Sequence, residues 1–193
     1  MANIIKESVK GTTLIPIEDE LLSSNNIFLT DEVTAATSNA LLKQLMYLEH
    51  CENNNDITLY INSPGGDVVS GLAVYDYISI MKKNVNTVCT GTAASMGAIL
   101  FLAGKKRSML PHTRLMIHDP SFGGGSFAGK KSHEIQRNLD KLNESRETLA
   151  KIIAEKTGRS LDEIYAVTAD DTYYNAEEAI SFGLANDIYT NTK

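Results

Sequence analysis

Cysteine is scarce in this chain: its 193 residues contain two, Cys51 and Cys89, at unrelated spacing and with no histidine pair beside them. That argues against a disulfide framework and against a structural zinc site. Cys89 sits in the apolar run Asn86-Thr87-Val88-Cys89-Thr90, where a buried, reduced thiol is expected, and this usage fits a cytosolic compartment. Positive charge is scarce too. The formal net charge is −6, and the densest basic cluster is the short Lys105-Lys106-Arg107, so a nucleic-acid surface is not expected. The longest apolar stretch, Met96 to Ala103, is far too short to span a bilayer. The opening Met-Ala-Asn-Ile-Ile-Lys-Glu lacks the long apolar core of a signal peptide. No Gly-x-x-x-x-Gly-Lys-Ser/Thr segment is present, so no phosphate-binding loop of that kind is expected. These absences are those expected of a cytoplasmic chain with no membrane or nucleic-acid partner.

What is present suits one α/β domain. Residues 1–20 show no clear apolar period and are expected to form a mobile or partner-dependent N-terminal arm, with residues 21–193 as the folded domain. Ile27-Phe28-Leu29 reads as a short strand. From Thr34 to Cys51, Leu41, Leu42, Leu45, Met46 and Leu48 recur at helical spacing. A buried strand follows at Ile57 to Ile61 and ends at the turn formers Asn62-Ser63-Pro64-Gly65-Gly66. Leu72, Tyr75, Ile78 and Met81 mark a second helix, and Val85 to Cys89 the next strand. Ser95 to Leu102 is apolar nearly all round, as a buried helix would be. Arg114 to Ile117 reads as a strand leading to the loop Gly123-Gly124-Gly125. A long helix is expected from Ser132 to Lys156, ~37 Å at 1.5 Å per residue, with Gly158 as its stop. Ser160 with Glu163, and Asn175 with Glu178, are capping-box pairs that open two shorter helices. Gly183 ends the last of these, before a final strand expected at Ile188-Tyr189.

Three segments carry groups suited to chemistry, and each has a plain structural reading beside it. In Gly91-Thr92-Ala93-Ala94-Ser95-Met96-Gly97, small residues permit a tight strand-to-helix turn. That turn places Ser95 where free backbone N–H groups and the helix dipole favour developing negative charge. The structural alternative is an N-cap serine in a packing turn. His118 closes the apolar strand Leu115-Met116-Ile117, as a catalytic base or a structural histidine would. Asp170-Asp171 precedes a capped helix, where acids are commonly solvated or capping. A serine nucleophile needs a histidine base, and the base needs a carboxylate to fix its tautomer; the chain offers one of each. Gly65-Gly66 adds backbone N–H groups that no side chain screens. One of these, with the Met96 N–H, would make an oxyanion hole.

Tyr60-Ile61-Asn62-Ser63-Pro64-Gly65-Gly66, Ala93-Ala94-Ser95-Met96-Gly97-Ala98 and Met116-Ile117-His118-Asp119-Pro120 resemble the motifs of the Clp protease proteolytic subunit, in order and near its spacing, across roughly residues 21–190. The resemblance implies a crotonase-like fold of stacked strand-strand-helix units with a protruding handle helix near 132–156, and residues 1–20 as an axial loop. It implies Ser95 as nucleophile, His118 as base, Asp171 rather than Asp170 as orienting acid, and Gly66 and Met96 as oxyanion donors. It further implies stacked heptameric rings, a tetradecamer, that are homomeric or mixed with a paralogue. The partners would be an AAA+ unfoldase of the ClpX, ClpA or ClpC type, which consumes the ATP, and unfolded polypeptide substrates. The resemblance implies no metal or organic cofactor in the chain itself. The chain departs from the family pattern at Asp119, where many relatives have glutamine. It also departs at Asp170, where many have arginine, and in its N-terminal segment. The expected activity is that of a serine endopeptidase that cleaves delivered polypeptides, and short peptides without ATP. Two other readings stand beside it: a weakly active or paralogue-dependent ring subunit, and an acyl-CoA enzyme of the crotonase superfamily.

Overall fold

A computed structural model describes residues 2–8, 11–53, 55–124 and 128–190. Its first elements are a two-stranded antiparallel hairpin, β1 (Asn3–Ser8) with β2 (Gly11–Pro16), and the helix α1 (Ile17–Ser23). The described residues at the start of the chain thus form a hairpin followed by a helix. The strands of this hairpin escaped notice because it lies on no core: the cross-strand partners Ile5 and Leu14 are both about two-thirds exposed, so no buried face imposes an alternating pattern. The Lys6 ammonium, 2.8 Å from Glu20, ties the hairpin to α1.

The body is a mostly parallel sheet. Its strands are β3 (Asn26–Leu29), β4 (Ile57–Ser63), β5 (Val85–Ala94), β6 (Arg107–Met109), β7 (Arg114–Ile117), β8 (Thr172–Tyr174) and β9 (Asp187–Ile188). The main path runs β3-β4-β5-β6-β9. The ten-residue β5 changes partner along its length: Thr87–Cys89 pairs with β6, and Thr92–Ala94 pairs with β7. β8 then pairs antiparallel with β7. This handover lets the distal end of β5 lie beside the end of β7.

Helices α2 (Ala35–His50), α3 (Val68–Ile80) and α4 (Met96–Leu102) pack on this sheet. α2 buries Leu41, Leu45 and Leu48 along one stripe, and the Thr34 side chain caps it by accepting from the Thr37 N–H. All seven residues of α4 are buried, as its unbroken apolar sequence requires. α5 (Ser132–Thr157) has 26 residues, about 39 Å of helix, yet it buries Leu149, Ala150 and Ile153 near one end. Its first half therefore stands off the core. α6 (Leu161–Thr168) and α7 (Ala176–Phe182) start at the expected capping boxes, and α5 and α7 stop at Gly158 and Gly183 in the left-handed conformation. Gly125 of the glycine loop lies outside the described residues.

Of the cluster Lys105-Lys106-Arg107, the two lysines are exposed and the arginine is not. Arg107 is buried on β6 and donates to the carbonyls of Leu184, Gly183 and Lys156 at 2.8, 3.2 and 3.4 Å, while Lys106 pairs with Asp187 at 2.8 Å. Cys89 is buried, and burial pushes its thiol pKa up. Among the described residues, no helix is long and apolar enough to cross a membrane.

Candidate active site

The register of three strands assembles the site. Ala94 of β5 lies beside Met116 of β7, and Ile117 of β7 lies opposite Thr172 of β8. The residues that leave these strands are Ser95, His118 and Asp171, so the pairing that holds the sheet together also brings the three side chains to one corner. His118 Nε2 is 2.8 Å from Ser95 Oγ, and His118 Nδ1 is 2.9 Å from Asp171 Oδ1. β8 had no visible pattern in the sequence, although the β-branched and aromatic run Thr172-Tyr173-Tyr174 carried the signal for it.

Ser95 stands at the turn between β5 and α4 with φ 53° and ψ −122°, a left-handed conformation that non-glycine residues seldom adopt. Such strain persists only where the surroundings over-determine it. Here the Ser95 N–H donates to Met116 O at 2.9 Å, and Ser95 O accepts from Ala98 at 2.9 Å and Ile99 at 3.2 Å. The hydroxyl does not cap α4; it is turned to His118 instead. The N-cap reading of this serine is thereby set aside, because the cap position is occupied while the cap hydrogen bond is not made.

Gly65 and Gly66 face this turn from the end of β4, with φ 90° and 144°. A Cβ on Gly65 would sit 2.7 Å from Ser95 Cβ and 2.8 Å from Met96 N, and one on Gly66 would collide with Val33 O. Side chains are excluded at both positions. Val33 holds the loop by donating to Gly65 O and accepting from the Asp67 N–H, each at 2.7 Å. That bridge leaves the Gly66 N–H turned away from Val33. Among the described residues, neither the Gly66 nor the Met96 N–H has a hydrogen-bond partner, which leaves both free for a ligand oxygen.

Ser95 and His118 open into a cleft of about 730 Å³, bounded by Gly66 and Val68 on one side and by Lys141, Leu142 and Ser145 of α5 on the other. Beneath Ser95 lies a small recess lined by Met96, Ile99, Ile117, Leu149 and Ile153. Among the described residues, no group of three or more histidine, cysteine or acidic side chains is placed to hold a metal ion.

Sequence reasoning gave no role to Asp119, the neighbour of His118. Its carboxylate accepts from Arg146 Nε at 2.6 Å and from Thr168 Oγ1 at 2.7 Å, and its N–H donates to Thr168 O at 2.6 Å. The partners lie 27 and 49 residues away in sequence, so no local pattern could announce them. Asp170, by contrast, is exposed.

The strand-turn-helix carrying Ser95, the strand end carrying His118 and the Gly65-Gly66 turn come together at one corner of the fold. The family model described as Clp protease matches residues 9–192, nearly the whole chain. The parallel sheet with its surrounding helices and the projecting α5 agree with that assignment, and the chain belongs to the Clp protease family.

Proposed function

We propose that the chain is a serine endopeptidase, the proteolytic subunit of an ATP-dependent Clp protease. The observation that carries this reading is the hydrogen-bonded series Asp171–His118–Ser95, at 2.9 and 2.8 Å. In a peptidase cycle, Ser95 Oγ attacks the scissile carbonyl carbon while His118 Nε2 takes the hydroxyl proton. Asp171 accepts from His118 Nδ1–H and so keeps Nε2 free as the base. The carbonyl oxygen becomes an oxyanion that the Gly66 and Met96 N–H groups stabilise, each donor contributing about 3 kcal/mol. His118 then gives its proton to the leaving amine, and water, activated by the same imidazole, releases the acyl group from Ser95.

In this reading the subunits assemble into stacked rings through the projecting half of α5, and an AAA+ unfoldase supplies the work of unfolding. A subunit that becomes competent only in such an assembly is the second reading. It is favoured by the Asp171 side chain, which is 60% exposed in the single chain and competes with water for its hydrogen bond. The acyl-CoA reading has less to support it, since oxyanion donors alone would serve a thioester.

The test separates peptide from protein cleavage. The purified chain is expected to cleave a short fluorogenic peptide without ATP and to leave a stably folded fluorescent protein intact. Loss of that protein's signal is expected only when an AAA+ unfoldase and ATP are added. Efficient degradation of the folded protein by the chain alone would contradict an enclosed site.

A further inference from the structure

We propose that Asp119 is a positioning residue for the peptidase reaction, fixing the separation of His118 and Asp171 through Thr168 of α6 and clamping both to α5 through Arg146. The inference rests on the reading that Ser95, His118 and Asp171 perform the chemistry.

Asp119 stands one residue beyond the base. Its backbone N–H donates to Thr168 O at 2.6 Å and its Oδ1 accepts from Thr168 Oγ1 at 2.7 Å. Both groups belong to the end of α6, three residues before Asp171. Thr168 is itself buried, and its hydroxyl also lies 2.9 Å from Ile164 O. The segment that delivers the acid is therefore joined to the segment that delivers the base by two bonds at one residue. The remaining oxygen, Oδ2, receives Arg146 Nε at 2.6 Å, and the guanidinium lies 4.5 Å from the centre of the Tyr165 ring. Arg146 thus stacks on α6 while it holds Asp119, a pairing of planar stacking and directed donation that lysine would not reproduce. Both Asp119 oxygens are engaged in this way, so Asp119 is not a substitute for Asp171 as the orienting acid.

The knot is partly sheltered: the side chains of Asp119 and Arg146 are 28% and 39% exposed. An ion pair at that depth adds little to overall stability when taken alone. Its effect on geometry is larger. Misplacing a catalytic group by an ångström lowers turnover far more than it lowers folding stability.

The experiment is steady-state cleavage of a short peptide by Asp119→Ala, Asp119→Asn, Arg146→Met and the Asp119→Ala/Arg146→Met pair. Rates are normalised to Ser95 sites titrated to completion with a fluorophosphonate. Asp119→Ala is expected to lower kcat between about tenfold and about a hundredfold, with KM changed less than about twofold. Asparagine, which retains one acceptor oxygen, is expected to recover part of the loss. The double variant is expected to be no slower than Asp119→Ala, because both substitutions break one linkage. The proposal is overturned by a kcat within about twofold of the parent, by a loss carried in KM, as from a residue that merely lines the cleft, or by losses that multiply in the double variant. If Asp119→Ala does not fold, Asp119→Asn and Arg146→Met decide by the same criteria. A parallel Ser95→Ala preparation separates the two claims. Activity there would remove the catalytic reading itself, whereas its inactivity beside a fully active Asp119→Ala would remove the positioning role alone.

Discussion

Replacing His118 with alanine is expected to lower kcat for a short peptide by on the order of 10⁴- to 10⁶-fold, because the serine then keeps its proton during attack. Asp171→Asn is expected to cost less, on the order of 10²- to 10⁴-fold. The upper bound belongs to an acid sealed from water. Asp171, at 60% side-chain exposure against 24% for His118, gives up part of its hold on the imidazole to solvent unless assembly covers it. Asp170→Asn, one residue away and exposed, is expected to leave kcat within about twofold. Active-site titration followed by peptide kinetics on the three variants checks this order. A larger loss at position 170 than at 171 would mean that the wrong carboxylate has been assigned.

The second large effect is on stability. Arg107→Met is expected to destabilise the fold by about 3 kcal/mol, the cost of removing a charged donor from three carbonyls, one in a buried and two in part-buried hydrogen bonds. The three acceptors, Lys156 O, Gly183 O and Leu184 O, lie at and just beyond the C-terminal ends of α5 and α7, where the helix dipoles favour a cation. Burial pushes the guanidinium pKa down, a shift opposed by Tyr75. At about 2–4 °C per kcal/mol for a chain of this size, the melting temperature should fall by about 6–12 °C. Thermal unfolding of both proteins at one concentration measures it, since assembly would otherwise shift the midpoint. A fall of less than about 2 °C would show that water or neighbouring donors satisfy the carbonyls equally well.

The helices were legible wherever a core imposes a period or a cap leaves a signature. The Leu41, Leu45 and Leu48 stripe, the capping boxes at Ser160 and Asn175, and the stops at Gly158 and Gly183 all appear where the chain announces them. Ser95 and His118 were legible too, because small residues before a buried helix and a polar residue after a buried strand both break a pattern. Between Asp170 and Asp171 the residues alone gave no choice; the resemblance favoured Asp171. The structure gives the physical reason: Thr172 pairs with Ile117, so the residue before Thr172 falls beside the residue after Ile117. That register could not be read from β8, which at three residues is too short to display a period. β6 was hidden by its own arginine, which looks like surface and is buried because its partners arrive from residues 156, 183 and 184. The Asp119 clamp was hidden for the same reason. Long-range hydrogen bonds leave no mark on local sequence.

The central claim is that Ser95 becomes covalently bound to the acyl group of the substrate. The most direct measurement is reaction of the purified chain with a fluorophosphonate, followed by mass-spectrometric mapping of the adduct. The account predicts one adduct, on Ser95, formed much more slowly in His118→Ala and absent in Ser95→Ala, with peptide cleavage lost in step. An adduct on another residue, or parental peptide cleavage by a clean Ser95→Ala preparation, would contradict it.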